Sequence, residues 1–434
     1  MKQRIHFINR FYAPDMSATS QILTGIAQGL AARGHDVRVT CSRQLYEDAR
    51  SALPSDERVD GVQVHRVGTT KFGRGALLGR LLDYASFYLG AAIHVLRTAQ
   101  RGDVIVAKTD PPLLSVILGP VARLRGAHVI NWLQDIFPEI AEGVALGGSS
   151  ARMAWAPLSA VRNMSLRGAD QNIAIGQLMA SFLKQQGVDP ARISVIPNWA
   201  ADTHVADDTR SVENLKREWG LEGRFVVGYS GNLGRAHEID TVLDAMERIR
   251  ALARADRDAS RIVFLFVGNG AKRLYLETEV KRRGLENVCL KPYQPLQRLG
   301  ATLAVADVHL VSLLPQLEGF VVPSKLYGIA AAGRPAIFIG AKDGEVARIL
   351  DHYDSGRSVA TGDSASLAKI ITTLSHDRDW GKAMGRRARA SFDAAFEKSF
   401  AVNAWEDIIH KVLAQPAEMA RPATDQSKAI DFAP

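Results

Sequence analysis

The feature that most constrains this chain is a regular alternation of short apolar, β-branched runs with longer segments of helical periodicity, which begins again after residue 223. Such alternation is typical of a parallel sheet that is covered by helices. The chain has 434 residues, more than one hydrophobic core usually serves, so two domains of about 200 residues are expected. The sequence therefore predicts an α/β protein with two Rossmann-like, doubly wound domains.

The predicted strands are short apolar runs that lie between turn signals. In the first half they are Ile5–Ile8, Val37–Cys41, Val62–Val67, Val104–Ala107, Val129–Leu133, Asn172–Ile175 and Ser194–Ile196. In the second half they are Phe225–Tyr229, Ile262–Val267, Val288–Lys291, Val308–Leu313 and Ala336–Ile339. Helices are expected between them, and late helical segments at Ser364–Leu374 and Trp380–Leu413.

The domain boundaries follow from where this pattern stops and restarts. We predict an N-terminal domain over 1–200, a linker over 201–222, a C-terminal domain over 223–395 and a further helix over 396–415. The last residues, 416–434, have too little periodic hydrophobicity to fold, so we expect a disordered tail.

Composition narrows the function classes. The two cysteines, Cys41 and Cys289, lie far apart without a CxxC or Cys/His spacing, which excludes a disulfide framework and a zinc finger. The N-terminus lacks the apolar core of a signal peptide, so a cytoplasmic protein is expected.

The charge of the chain is uneven. Residues 1–200 hold 22 Lys and Arg against 15 Asp and Glu, which accounts for most of the net charge of +8. A basic surface can attract nucleic acid, anionic lipid or phosphate-bearing substrates. No basic run with interleaved aromatic residues occurs, so we do not expect nucleic-acid binding.

Leu77–Thr98 is apolar over much of its circumference and is flanked by basic residues, but Arg80 and Asp83 make it a poor membrane span. Two readings are open. The segment is a core helix of the first domain, or it lies partly in a bilayer interface with its basic residues on lipid headgroups. Ser150–Gly168 mixes apolar and basic residues in a similar way.

In each predicted domain, the loop that follows the first strand contains candidate ligand-binding residues. The first, NRFYAPDMSATSQ, is not a GxGxxG fingerprint, but it places Asp15 and Ser17 ahead of a helix N-terminus, where a ligand can approach backbone N–H groups. Ser17 can also be a simple helix cap. The second, SGNLGRAHEID, offers Gly231 for close backbone approach, with Arg235 and His237 as cations for a phosphate.

The most informative stretch is SLLPQLEGFVVPSKLYGIAAAGRPAIF, Ser312–Phe338. It places Glu318 in a glycine-containing loop and Pro323 where a helix should begin. Ser324 and Lys325 would then present a hydroxyl, an ammonium group and the helix dipole to an anion. The alternative is a helix start with an exposed lysine.

The ordered motifs FYAPDMSATS, WLQDIFPE, IPNWAAD, YSGNLGRAHEIDTVLDA, FVGNGAKR and EGFVVPSKLYGIAAAGRP resemble retaining glycosyltransferases of family 4, which have the GT-B fold. They are most similar to the bacterial branch that builds colanic-acid-like capsules, exopolysaccharides and O-antigens. The likeness runs from about residue 3 to about residue 410. It implies two Rossmann-like domains that face each other across a cleft, with the C-terminal helix crossing back to the first domain.

The resemblance also implies positions for a nucleotide sugar and an acceptor. The donor diphosphate would lie near the turn that holds Gly231, Asn232 and Arg235 and near the segment from Glu318 to Ser324 and Lys325. The base and ribose would lie near Gly268, Asn269 and Tyr293. Acceptor-side contacts would come from Asp15, Ser17 and Asp135, and the catalytic residues would be Lys325, Glu318 and Asp135.

Three positions depart from the family pattern. Asn232 and His237 stand where similar enzymes carry an Arg and a Lys, and Gly328 stands where they carry a Glu on the ribose. Glu318 also lies ten residues before Gly328 rather than eight. The groups that could replace the missing ones are Ser324, Lys325 and Arg235.

The expected chemistry needs fixed cations more than a metal. Cleavage of the glycosyl–phosphate bond leaves negative charge on the diphosphate, which cations and helix N-termini stabilise. No DxD-type carboxylate pair follows a strand, and Asp207-Asp208 falls in the predicted linker. We therefore expect a metal-independent enzyme without a cofactor, whose co-substrate is a UDP- or GDP-linked sugar.

The expected acceptor is a polyprenyl-diphosphate-linked saccharide, and the enzyme could dock on the anionic inner face of the cytoplasmic membrane. Two alternatives stay open. The chain could be a non-catalytic nucleotide-sugar-binding partner of another transferase, or a nucleotide-sugar 2-epimerase, which needs no acceptor.

Overall fold

The computed structural model describes residues 3–46, 48, 50–72, 77–144, 149–200 and 209–414. Asp207-Asp208, most of the predicted linker's first half and the predicted tail over 416–434 lie outside the described residues. The chain divides into two compact units. The first unit comprises the chain up to Trp132, Val161–Asn172 and the stretch that begins at Glu406, and the second comprises Leu133–Ala160 and Ile173–Trp405.

The first sheet, as far as the described residues show it, has eight strands in the order β3-β4-β2-β1-β5-β6-β7-β8. The pairing of β3 with β4 is antiparallel, whereas β1 pairs in parallel with β2 and β5. The strands are β1 (Arg4–Ile8), β2 (Asp36–Ser42), β3 (Asp56–Val59), β4 (Val62–Val67), β5 (Val104–Lys108), β6 (His128–Trp132), β7 (Gln171–Ala174) and β8 (Ile193–Val195).

Helices connect these strands. They are α1 (Ala18–Ala32), α2 (Leu77–Thr98), α3 (Leu114–Leu124), α4 (Glu139–Val144), α5 (Ser149–Gly168) and α6 (Gln177–Gln185). Helix α1 ends at Ala32 with Arg33 as its C-cap residue, and Gly34 follows in the left-handed region at φ +88°, as expected just past a helix end.

The second sheet has six strands within the described ranges, in the order β11-β10-β9-β12-β13-β14, and every pairing is parallel. The strands are β9 (Phe225–Ser230), β10 (Ile262–Val267), β11 (Val288–Lys291), β12 (Val308–Ser312), β13 (Ala336–Ile339) and β14 (Gly356–Val359). The helices are α7 (Thr209–Glu218), α8 (Asp240–Leu252), α9 (Arg273–Arg282), α10 (Leu299–Ala304), α11 (Lys325–Ala331), α12 (Glu345–His352), α13 (Ser364–His376), α14 (Arg378–Ser391) and α15 (Lys398–Leu413).

The predicted α/β fold class is confirmed, and each of the twelve predicted strands is present within one residue at either end. Two strands were missed, β3 and β14. Both are edge strands of mixed polarity, DERV and GRSV, so neither shows an apolar run. The late segment Trp380–Leu413 is not one helix, because a π-helical turn over Phe392–Phe396 separates α14 from α15.

Helix α2 has two apolar faces. One face packs into the core of the first unit through Phe87, Ala91 and Val95. The other is exposed to solvent along Leu78, Leu81, Leu82, Leu89, Ile93 and Leu96. The core-helix reading therefore describes only half of this segment. None of the helices in the described ranges has both the length and the hydropathy that a membrane crossing requires.

Candidate functional site

Two glycine turns interlock at the carboxyl ends of β9 and β10. The N–H of Gly231 donates to the oxygen of Val267 (2.9 Å), and the N–H of Leu233 donates to the oxygen of Asn269 (2.7 Å). Gly268 has φ +126°, and a Cβ there would clash with the carbonyl oxygen of Gly231. Gly231 itself has φ +117° and no atom within 4 Å of its Cβ direction. We call this pair of contacting turns the glycine joint. It requires glycine at position 268 and leaves open space above Gly231.

Three predicted donor-side side chains surround the joint. The Oδ1 atom of Asn269 accepts from the N–H of Gly270 (2.9 Å). The Oδ1 atom of Asn232 lies against Gly270 on the other side, only 2.5 Å from the position of a Cβ. The ring of Tyr293 lies next to Gly268 and is half exposed. The structure thus brings the predicted residues of these two turns onto one surface.

Lys325 is the first residue of α11, preceded by Ser324, whose side chain makes no capping bond. The Nζ atom of Lys325 is buried and makes no hydrogen bond with any described residue. It lies 3.6 Å from the centre of the Tyr229 ring, whose hydroxyl donates to the oxygen of Asn232 (3.1 Å). Burial lowers the pKa of Lys325 well below its ordinary value. Lys325 is therefore not the exposed lysine of the alternative reading, and its amine is adjacent to the turn after β9.

His237 stands where similar enzymes carry a cation, but its ring is neutral. Its Nδ1 atom donates to the carbonyl oxygen of Ser312 at the end of β12 (2.7 Å). Burial, helped by the charge of Lys325, lowers the pKa of His237 to about 3. Its ring meets Tyr229 edge-on at 6.0 Å. The neutral ring of His237 supplies no positive charge here, and the amine of Lys325 lies against the same Tyr229 ring.

Two further cations at this site were missed by sequence reasoning. Lys272 donates from Nζ to the oxygen of His237 (2.6 Å), and Arg273 donates from Nη1 to the oxygen of Gly268 (3.2 Å). They stand two and three residues after Gly270 in the motif FVGNGAKR, so their position after a glycine turn was a usable signal. Arg235, which was predicted, is exposed on the neighbouring turn.

Glu318 lies in the loop between β12 and α11 and caps a different helix. One carboxylate oxygen accepts from the N–H of Glu345 at the start of α12 (3.1 Å). The other is buried against Gly344, and no described residue donates a hydrogen bond to it. Burial raises the pKa of Glu318 to about 7, so the carboxyl group is partly protonated near neutral pH. Glu318 therefore combines a structural role with unused hydrogen-bonding capacity.

Asp135 pairs directly with the same loop. It forms an antiparallel bridge with Val321, and the N–H of Ile136 donates to the oxygen of Phe320 (2.9 Å). Because this loop runs on to Lys325, the three residues predicted to be catalytic lie on two paired segments of the second unit.

Two family models account for most of the chain. Residues 18–199 match the glycosyl transferase 4-like domain, and residues 211–391 match the glycosyl transferases of group 1. The chain belongs to these glycosyltransferase families. The predicted enzyme class is therefore confirmed.

Several curated proteins are similar to this transferase. It is 29% identical to WbjE of Pseudomonas aeruginosa, which is named a probable glycosyltransferase, over 65% of this chain and 68% of WbjE. It is 26% identical to WcaI of Escherichia coli, named for glycosyl transfer in colanic acid biosynthesis, over 81% of this chain and 86% of WcaI. It is 27% identical to the N-acetyl-alpha-D-glucosaminyl L-malate synthase of Bacillus anthracis, over 92% of this chain and 95% of the synthase.

Solved structures share the fold of the transferase at low identity. HepE of Anabaena, in complex with UDP-glucose, superposes with a TM-score of 0.68 and 18% identity over 94% of this chain and 99% of that one. The sucrose-phosphate synthase of Thermosynechococcus elongatus gives a TM-score of 0.75 and 17% identity over 95% of this chain and 99% of the synthase. The predicted GT-B fold with two Rossmann-like domains is confirmed, whereas the domain boundaries and the cleft stay predictions.

Asp15 and Ser17, which were predicted to contact the acceptor, lie in the first unit of the transferase, after β1. The carboxylate of Asp15 accepts from the N–H groups of Ser17 (2.8 Å) and Tyr46 (2.5 Å) and from the Ser17 hydroxyl. Ser17 precedes α1 without making a side-chain cap bond. Asp15 therefore organises its own loop.

Gly328 stands at the position where the family resemblance predicts a ribose-binding carboxylate. It lies on α11, and its Cβ direction points to Leu303 of α10 at 3.4 Å. A side chain at this position would face an apolar neighbour.

Proposed function

We propose that this glycosyltransferase moves a sugar from a UDP- or GDP-linked donor, with retention of anomeric configuration, to a lipid-linked saccharide in bacterial surface polysaccharide synthesis. The observation that carries the proposal is the buried amine of Lys325 beside the open glycine turn at Gly231. The naming of WcaI for colanic acid biosynthesis and the UDP-glucose complex of HepE support it.

The donor diphosphate binds between Gly231 and Lys325 in this proposal. A buried amine without a hydrogen-bond partner is costly as a cation, and an incoming phosphate supplies both the acceptor and the opposite charge that stabilise it. The glycine turn gives the phosphate room to approach backbone N–H groups. Asn269 and Tyr293, on the same surface, then contact the ribose and base.

The sugar contacts the loop that holds Glu318 and the segment of Asp135. A partly protonated Glu318 can both donate to and accept from a sugar hydroxyl, whereas Asp135 orients the acceptor. As the glycosyl–phosphate bond breaks, negative charge grows on the diphosphate. Lys325 stabilises this diphosphate more strongly in the transition state than in the ground state. The cations of the turn thereby take the role of a metal.

Retention follows if the acceptor hydroxyl attacks the anomeric carbon from the face that the diphosphate leaves. The new glycosidic bond forms there, the glycosyl–phosphate bond breaks, and the hydroxyl proton passes to a phosphate oxygen of the departing nucleoside diphosphate. No enzyme carboxylate becomes covalently attached in this scheme. The anomeric configuration of the product, read by NMR, tests this step.

A panel of UDP- and GDP-sugars tests the donor proposal. Release of UDP or GDP is measured with a polyprenyl-diphosphate-linked saccharide acceptor for the wild type, Lys325→Met and Glu318→Gln. Lys369→Met is the matched control, because Lys369 is exposed on α13 of the same unit. We expect the first two variants to lose turnover and the control to keep it. Full turnover in both Lys325→Met and Glu318→Gln contradicts the proposed site.

The same assay separates the two alternatives. A non-catalytic partner binds a nucleotide sugar, seen as a rise in thermal stability, without releasing nucleotide. A 2-epimerase converts the donor sugar when no acceptor is present. The departures at Asn232, His237 and Gly328 favour the first alternative over the second.

The exposed stripe of α2 supports docking on an anionic membrane surface, where a lipid-linked acceptor would be found. The stripe consists of Leu78, Leu81, Leu82, Leu89, Ile93 and Leu96. These residues recur at helical spacing on one side of α2, and exposed Arg80 and Arg97 lie on the same helix. Apolar side chains that enter the interface while arginines pair with lipid phosphates fit this arrangement.

Vesicle co-sedimentation tests the membrane proposal. We expect binding to vesicles with phosphatidylglycerol, weakened as salt rises, and lost in the double variant Leu82→Glu/Leu89→Glu. Leu274→Glu is the control, since Leu274 is 74% exposed on α9 of the other unit, compared with 64% for Leu89. Equal binding of the wild type to neutral and anionic vesicles, or equal loss in the control, argues against this surface.

A further inference from the structure

Helix α15 and the turn after α1 bring together three metal-ligating side chains that the proposed transfer reaction does not use. Glu406 and His410 stand one helical turn apart on α15, and His35 reaches them from the segment between α1 and β2. One ligand atom from each residue lies within 4.8 Å of the others. All three belong to the first unit.

The geometry of this cluster is already close to that of a ligand set. His35 Nε2 lies 2.7 Å from Glu406 Oε1, and the His35 and His410 rings are 6.0 Å apart between centres. Residues i and i+4 share one face of a helix, so Glu406 and His410 point to the same side. Two imidazoles and one carboxylate are a recurring protein set for zinc, with water in the fourth position.

Arg33 fixes the carboxylate in a usable orientation. Its Nη1 atom bonds Glu406 Oε2 at 2.7 Å, which leaves Oε1 directed toward His35. Carboxylate ligands of metals are commonly held by such a second hydrogen bond. The positive charge of Arg33 opposes a cation at this point, so the site needs the two imidazole nitrogens and favours ions that bind nitrogen well.

A second cluster of similar composition offers a useful contrast. Asp256, Asp258 and His376 also lie within reach of one another. However, one oxygen of Asp256 already accepts from the backbone N–H groups of Asp258 (2.9 Å) and Ala259 (3.1 Å). That carboxylate is occupied in holding its own turn, and the cluster contains only one imidazole.

We propose that His35, Glu406 and His410 form a binding site for a divalent transition-metal ion of the zinc class, which fastens α15 to the end of α1. Binding replaces the His35–Glu406 hydrogen bond with two bonds to the metal and releases any proton held on the ligating nitrogens. The bound ion stabilises the packing of the C-terminal helix and leaves glycosyl transfer to other residues.

Zinc binding to the untagged full chain tests the proposal. The protein is stripped with EDTA, dialysed against ZnCl₂ and assayed for bound zinc, and its thermal unfolding is followed with and without the ion. We expect one equivalent in the wild type, a higher Tm with zinc and no such change with Mg²⁺, which prefers oxygen ligands.

Variants locate the ion. His35→Ala and His410→Ala should each lose the bound equivalent and the zinc-dependent rise in Tm, whereas His376→Ala keeps both. His410 is exposed, so its variant should fold even if His35→Ala does not. Zinc retained by His410→Ala, zinc lost in His376→Ala, or no saturable binding by the wild type overturns the proposal.

Discussion

The loop after β1 and the turn after β9 occupy equivalent places, each following the first strand of its sheet, but one is organised around a carboxylate and the other around an amine. The first loop surrounds a carboxylate: Asp15 accepts from the N–H groups of Ser17 and Tyr46. The second turn surrounds an amine: Lys325 lies over the Tyr229 ring and makes no hydrogen bond with the described residues. The carboxylate has hydrogen-bond donors within the protein, whereas the amine has no acceptor among the described residues.

Two cations near the first loop, Lys108 and Arg66, donate hydrogen bonds to backbone oxygens. Lys108 donates from Nζ to the oxygen of Thr19 (2.6 Å), and Arg66 donates to the oxygen of Ala13 (2.7 Å). Buried charges are tolerated when they are paired and hydrogen-bonded. The comparison teaches that the two Rossmann-like sheets share an architecture, but that the lysine amine beside the first turn of the second sheet makes no hydrogen bond with the described residues.

Replacing Lys325 should give the largest effect and tests the comparison directly. Loss of a group that stabilises growing charge in a transition state costs about 10²- to 10³-fold in turnover, so Lys325→Met should lose about that much. Its stability should not fall, because a buried, unpaired amine is exchanged for an apolar side chain of similar length. Initial rates and thermal unfolding measure both. A large loss of Tm with normal turnover would reverse the assignment.

The glycine joint offers the next largest effect. The loop after β1 contains no glycine from Asn9 to Ser17, whereas the second turn depends on Gly268. Gly268→Ala should destabilise the protein by about 3 kcal/mol, since positive φ strain adds to a clash with the oxygen of Gly231. Gly231→Ala, with open space at its Cβ, should cost only about 1 kcal/mol. Denaturant unfolding of both variants checks this order, and equal losses would refute it.

A third prediction concerns the carboxylate of the first loop. Asp15→Asn keeps the shape of the side chain but removes an acceptor from the N–H groups of Ser17 and Tyr46. We expect a loss of about 1–2 kcal/mol in unfolding free energy and an unchanged KM for the donor. Ser17→Ala, which removes one hydroxyl donor, should cost less. A raised donor KM in Asp15→Asn would mean that the first loop also serves the nucleotide sugar.

Local sequence pattern was sufficient for most of the fold. Strands buried on both faces, such as β9 and β12, appear as apolar β-branched runs, so their bounds could be predicted closely. The carboxyl ends of parallel strands meet at one edge of a sheet, which is why the turn after β9 and the loop after β12 could be assigned to one site.

The side-chain contacts of the site could not be predicted in the same way. The bond from His237 to Ser312 joins residues that are distant in the chain, as does the contact of Lys325 with Tyr229. Nothing in a local pattern shows that a histidine is neutral, or that Glu318 caps α12. These properties arise from packing between elements, so a match to motif positions locates the site without giving its charge state.

The smallest predicted effect is a change in the pH dependence of stability at Glu318. Burial raises its pKa from 4.5 to about 7, so the folded protein holds a proton that the unfolded chain releases. Its contribution to stability is therefore complete below pH 4.5 and is lost as the pH rises through about 7. Glu318→Gln should remove this dependence, so that Tm falls less between pH 5 and pH 8 than in the wild type. Asp15→Asn is the matched comparison, because it makes the same carboxylate-to-amide change in the other loop and leaves Glu318 in place. If the wild type and Glu318→Gln lose the same Tm over this range, the second site does not hold a carboxyl group poised near neutral pH, and the contrast between the two loops depends on Lys325 alone.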